Sequence, residues 1–204
     1  MTDLKQIFEE RRSINFFNKE KKLEDGLLEK IIDTAATAPS AFNLQPWSVI
    51  VVKSEEGKKK LFENGNKQPK FLEAPVTLII TGDRAGYSKD NPMWAEFEKL
   101  AGRERTEGAQ QFAEFLYGST PERKIKFAES NAGLLSMSIM YAAKYYGVDS
   151  HPASGVDFEG LKKAFDIEGE NEVVMLICLG YFDETKTLYP RQKRLGYKEI
   201  AREV

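Results

Sequence analysis

Residues 38–52 read Ala38-Pro39-Ser40-Ala41-Phe42-Asn43-Leu44-Gln45-Pro46-Trp47-Ser48-Val49-Ile50-Val51-Val52, and the change of pattern within them decides the fold class. Just upstream, Leu27, Leu28, Ile31, Ile32, Ala35 and Ala36 recur at helical spacing, and Pro39 stops that helix. Ser48 to Val52 is a short apolar run that predicts a buried strand, and Ser54-Glu55-Glu56 can cap a following helix. Helix, stiff loop and strand in immediate succession predict an α+β fold.

The same alternation continues outward. Val76 to Ile80 and Val173 to Leu179 predict two more buried strands. Asp3-Leu4-Lys5-Gln6 has the form of a capping box for an N-terminal helix with Leu4, Ile7 and Phe8 on one face. Thr120-Pro121-Glu122 opens a long helix, apolar around most of its circumference and therefore central, with Gly147 as its stop. Asp157 begins a short helix through Phe158, Leu161 and Phe165. Between Arg84 and Thr120, Met93, Trp94, Phe97 and Leu100, then Phe112, Phe115 and Leu116, predict two short helices on an excursion from the main body (residues 84–120). No repeat or linker divides the chain, so residues 1–204 are expected to form a single domain. The tail beyond Gly180 has little core content and is expected to run over a surface.

Composition excludes several function classes. Across 204 residues, 30 Lys and Arg stand against 32 Asp and Glu, a net charge of −2, which argues against nucleic-acid binding. One Cys and one His supply neither an internal disulfide nor a zinc cage, so no metal site is expected. Cys178 lies in an apolar run, where a thiol is inert packing. No stretch has signal-peptide or membrane-spanning character, which predicts a soluble, cytoplasmic protein. Difficult chemistry must come from ordinary side chains or a borrowed cofactor.

Four stretches could carry that chemistry. Arg11-Arg12-Ser13-Ile14-Asn15 puts two forked donors and a hydroxyl in one turn, suited to a phosphate or a polar ring edge. It equally suits solvated cations at a helix C-terminus. Ser40, Asn43 and Gln45, framed by Pro39 and Pro46, can hydrogen-bond a planar heterocycle or satisfy their own turn. In His151-Pro152-Ala153-Ser154-Gly155-Val156-Asp157, small residues ahead of a helix expose backbone N–H groups to a ligand, or simply connect two helices. No nucleophile motif accompanies His151, which reads as a turn residue. Lys186, Arg191, Lys193, Arg194 and Lys198, without an acid among them, either cover a phosphate or keep a tail solvated.

Taken in order, these stretches resemble the flavin-dependent nitroreductase family. Asn43-Leu44-Gln45-Pro46-Trp47 is the most specific piece, supported by Arg-Ser near the N-terminus, Pro-Ala-Ser-Gly, Leu-Gly-Tyr and the late Lys-Arg-Leu. The resemblance implies an α+β sandwich with a mixed sheet flanked by helices. It also implies an intertwined homodimer whose C-terminal segments (residues 181–204) wrap the partner subunit, with FMN at the interface. Arg11, Arg12, Ser13 and Asn15 would hold the phosphate and the pyrimidine edge. Pro39, Ser40 and Asn43 would reach the flavin from the second copy, and Lys70 would stand near the ring. Pro152, Ala153, Ser154 and Gly155 would line it near N5, and Arg194 would close over the phosphate. Asn15 departs from the Arg or Lys of many members, and Ser154 from the Glu of some.

The implied activity takes a hydride from NADH or NADPH to flavin N5 and on to a nitroaromatic, quinone or similar flat acceptor, with no protein nucleophile. Phe112 and Phe115 are predicted to stack near the acceptor as a lid, on a segment with too little core to be rigid; helix-face packing is the alternative. A flavin-binding sensor or storage protein without turnover would share every one of these motifs.

Overall fold

The computed structural model describes residues 4–204; Asp3, the first residue of the expected capping box, lies outside them. Four strands form one sheet in the order β1-β2-β4-β3, with β1 Trp47–Val52, β2 Val76–Asp83, β3 Asp149–Ala153 and β4 Asn171–Gly180. The resemblance implied a mixed sheet, but every ladder is antiparallel. The parallel pairing among the described residues is confined to an isolated bridge, Ser13 to Ser150. A parallel ladder would need a further strand, and the tail adds none to its own sheet.

β2 and β4 occupy the centre, and their alternation sorts two cores. Val76, Leu78, Ile80, Ile177 and Leu179 face one side, where they meet Ile31 of α2 (Leu27–Ala35) and Ala132, Leu135 and Ile139 of α7 (Pro121–Tyr145). Ile79, Leu176 and Cys178 face the other, covered by Leu61 of α3 (Glu55–Asn64), Phe71 of α4 (Lys70–Glu73) and Leu161 of α8 (Phe158–Ala164). Side chains that alternate across a strand with both faces covered give a continuous apolar run, which is why these strands could be read from the chain. Caps fall where local chemistry puts them: Ser54, Thr120 and Asp157 side chains each accept a backbone N–H of the following first turn.

β3 was not expected. The stretch around His151 reads as a turn because Ser150, His151 and Pro152 break any apolar pattern, yet it forms the edge strand beside β4. An edge position tolerates proline, since one side of the strand has no ladder to complete.

The excursion holds the two helices expected but has more core than expected. It holds α1's successors in the helical series, α5 (Met93–Ala101) and α6 (Arg103–Ala113), then a wider π-type turn, Glu114–Gly118; α1 itself is Leu4–Glu10. Trp94, Tyr87 and Ala113 are buried with Leu44 and Phe127, so the segment has an aromatic core of its own. Phe42–Trp94 and Tyr87–Phe127 ring centroids lie 5.5 and 5.6 Å apart. Leu100 leaves this face and is 91% exposed. No helix among the described residues is long and apolar enough to cross a membrane.

Gly82 of β2 sets how closely α7 approaches the sheet: a Cβ there would stand 2.6 Å from the Ala128 carbonyl oxygen. Gly82→Ala is expected to cost about 1–3 kcal/mol, because helix backbone cannot yield. Gly108→Ala, in the middle of exposed α6 with nothing near its Cβ, should instead stabilise by about 1 kcal/mol. Thermal denaturation of the two variants, expected to shift in opposite directions, checks both.

Candidate functional site

The N-terminal segment after α1 is pinned to the sheet edge. Ile14 N donates to Ser150 O at 3.0 Å, Ser13 forms the parallel bridge, and buried Ile14 and Phe17 anchor the segment in the second core. Arg11, Arg12, Ser13 and Asn15 therefore run beside β3. The first part of the tail lies over them: Asn18 N donates to Tyr181 O at 2.9 Å, Asp183 N to Phe16 O at 3.1 Å, and Tyr189 packs against Phe16. Arg12 donates to Tyr189 O, and Arg191 to Glu9 O and Arg11 O.

Guanidinium groups gather here. Burial holds Arg11 below the ordinary arginine value; Arg191, Arg194 and Arg12 reinforce the shift and Tyr141 opposes it. Arg11 Nη1 is buried without a hydrogen-bond partner. Arg194 itself is exposed, with a contact only to its own Gln192 carbonyl among the hydrogen bonds described. Crowded like charges with a spare buried donor are an electrostatic cost that an anion would remove.

A second group lies along the same edge. Lys70, 8% exposed on α4, places Nζ 2.7 Å from His151 Nε2 and donates to Asn15 Oδ1 at 3.3 Å. Burial lowers the Lys70 pKa, with the neighbouring Cys178 acting against it. Burial, then the Lys70 charge, pushes His151 down to about 4, while the Ile14 main chain pulls the other way. The imidazole is thus neutral at ordinary pH. Gln68 and Asn66 both donate to Gly155 O, at 3.2 and 2.8 Å, which ties the end of β3 to the loop before α4. Pro152 and Ala153 are in β3, Ala153 buried, and Ser154 and Gly155 are exposed just after it.

Four buried side-chain polar atoms lack a hydrogen bond among the described residues, and three belong to this edge: Arg11 Nη1, Ser150 Oγ and His151 Nδ1. The fourth, Arg84 Nε, has carboxylate oxygens of Glu170 and Glu172 at 3.3 and 3.2 Å and is accounted for by those ion pairs. Such orphans are rare in folded proteins; Ser150 and His151, adjacent in β3, direct theirs to opposite faces of the sheet, and Arg11 Nη1 is the charged one among the three.

Other expected site residues lie apart. Pro39, Ser40 and Asn43 sit over α7 and the excursion, where Ala41 N donates to Asn131 Oδ1 at 2.9 Å and Gln45 N to Ser40 Oγ at 2.9 Å. Ser40 thus serves its own turn. Phe42, Asn43 and Gln45 have φ of 52°, 56° and 49°, three left-handed residues without glycine, interrupted by right-handed Leu44, that store strain in the loop. No described hydrogen bond or ring contact joins this loop to Arg11, Asn15 or Lys70 within one subunit. Phe112 and Phe115, 53% and 72% exposed, also lie on the excursion side. No metal-binding cluster of His, Cys, Asp or Glu occurs among the described residues.

His151 is the residue that pattern reading misplaced, and Asn66 and Gln68 were not singled out. The chain's lone histidine next to a proline carried no local signal, since its partner is distant in sequence.

Comparison with known proteins bears on the family and the fold. MhqN of Bacillus subtilis (strain 168), an NAD(P)H nitroreductase by name, is 29% identical over 206 residues, covering 100% of this chain and 98% of MhqN. The crystal structure of ydfN from Bacillus subtilis, a nitroreductase by name, superposes with a TM-score of 0.88 at 27% identity, covering 98% of both chains. A crystal structure from Exiguobacterium sibiricum 255-15, named as a nitroreductase in complex with FMN, gives 0.84 at 26% identity, covering 98% of this chain and 97% of that one. The sequence model of the Nitroreductase family matches residues 8–181, and the chain belongs to that family.

Proposed function

We propose that this protein is an FMN-dependent oxidoreductase, a homodimer that takes reducing equivalents from NAD(P)H and delivers them to a nitroaromatic, quinone or similar flat acceptor. The observation that carries the reading is Arg11, whose buried, unpartnered Nη1 stands among Arg12, Arg191 and Arg194. That donor set fits a phosphate monoester, and the neutral and cationic donors of Asn15 and Lys70 fit the carbonyl-rich edge of an isoalloxazine.

Bound FMN would supply hydride acceptance and donation at N5. The chain's part is binding and orientation. Arg11, Arg12, Ser13, Arg191 and Arg194 would hold the phosphate, and Pro152, Ala153, Ser154 and Gly155 would offer backbone to the ring. Pro39, Ser40 and Asn43, which do not meet Arg11 in their own subunit, would serve the site of a second copy. Exposed apolar side chains on α1 and α7, among them Leu4, Phe8 and Leu134, support such an assembly, as do Tyr197 and Ile200 in the tail. Residues 181–204 would then cross to the partner beyond the stretch that lines their own N-terminal segment. Phe112 and Phe115 would flank the acceptor, presented by a segment that its own aromatic core makes firm.

Arg11→Ala is expected to weaken FMN binding about tenfold or more, the loss of at least one charge-assisted hydrogen bond, while Arg103→Ala on exposed α6 leaves it unchanged; flavin fluorescence titration reads both. Purified protein loaded with FMN should oxidise NADH in the presence of menadione. Flavin binding without NADH consumption would favour a storage or sensing role, and a protein that stays colourless in excess FMN would overturn the assignment. Phe112→Ala and Phe115→Ala should raise the acceptor KM several-fold with FMN affinity intact; steady-state kinetics unchanged from the wild type would remove them from the acceptor site.

A further inference from the structure

Lys70 is a buried cation with no carboxylate against it among the described residues. The groups that face it are the Asn15 amide from the N-terminal segment, the His151 imidazole from β3 and the Cys178 thiol from β4. Cys178 is neutral, its thiol pushed up to about 12 by burial. The nearest acid on its own helix, Glu73, is engaged elsewhere, accepting from Phe17 N at 3.5 Å and lying 4.0 Å from Lys19. Retaining a desolvated ammonium without a counter-ion is costly unless the charge is wanted.

Its partners are of a particular kind. An ammonium has three N–H donors, and Asn15 Oδ1 and His151 Nε2 take two of them. Both acceptors are neutral. A carboxylate at either position would hold Lys70 as firmly but would cancel its field at short range. A neutral imidazole fixes the direction of the ammonium and leaves the full positive charge for whatever lies beyond. Accepting at Nε2 also puts the ring proton on Nδ1, toward the Ile14 main chain.

We propose that His151 is a positioning residue, a neutral acceptor that with Asn15 orients Lys70 so that its third N–H and its uncancelled charge act on the flavin and favour the reduced, anionic state over the oxidised one. The inference rests on the FMN reading above and adds to it a determinant of the cofactor's redox balance. His151 acts through Lys70 and need not touch the acceptor.

The test is the midpoint potential of bound FMN, measured by spectroelectrochemistry on the holoprotein, together with the dissociation constant of oxidised FMN. His151→Glu should reduce the preference for reduced over oxidised FMN by about tenfold or more, which for a two-electron couple is a fall of about 30 mV. His151→Phe, which removes the acceptor without adding charge, should give a smaller fall, and His151→Gln, which restores a neutral acceptor, should return to within about twofold of the wild-type ratio. In a Lys70→Met background, replacing His151 by Phe should have no further effect, and this comparison stands even if His151→Glu does not fold. Potentials equal to the wild type in His151→Phe and His151→Glu, with FMN still bound, would overturn the role of His151 and leave the FMN assignment standing. Failure of the wild type itself to bind FMN would overturn both.

Discussion

The β2–β4 pair is apolar on both faces, and the rest of the molecule follows from covering it. One face takes α2 and α7, the other α3, α4 and α8, and each core is closed by side chains that alternate along the same two strands. At about 25 cal/mol per Å² of apolar surface removed from water, no single contact decides the fold. The two-faced strands do, because a slip of one residue would exchange the cores. Gly82 then lets α7 settle against the sheet backbone.

This packing leaves β3 as an edge, and the edge is where the polar work is concentrated. The Ile14–Ser150 hydrogen bond brings the N-terminal arginines to it, and α4 brings Lys70. The result is a stretch of surface whose spare donors and uncompensated cations outnumber what the chain itself can use. Burying cations together opposes folding unless a bound anion offsets it. Its electrostatics suit a negatively charged ligand, whereas the sheet beneath it is held by backbone ladders and apolar burial.

Much of this could be read from the chain, and the failures have physical causes. β1, β2 and β4 were legible because strands covered on both sides leave uninterrupted apolar runs. α2 was legible from spacing, and α3, α7 and α8 from their Ser, Thr and Asp caps. β3 was not, since a strand that carries Ser150, His151 and Pro152 is stabilised by its neighbour and not by its own pattern. The all-antiparallel sense of the sheet depends on pairings between distant segments, which no window contains. Arg11 to Asn15 announced themselves by residue type. The Lys70–His151 contact could not, its members lying 81 positions apart and a helix of only four residues presenting one of them. Leu100 shows the converse error, an apolar residue at helical spacing that faces solvent, and the excursion's aromatic core draws on Leu44 and Phe127 from outside it.

The fastening of the tail to the N-terminal segment has a consequence for biogenesis. Arg12 bonds to Tyr189 O across 177 positions, and Ile14 requires Ser150. The arginine segment is thus made well before the residues that hold it in place. Until residue 191 has been made, Arg11 and its neighbours lack the tail contacts that complete their surroundings, so this corner of the molecule settles late in folding.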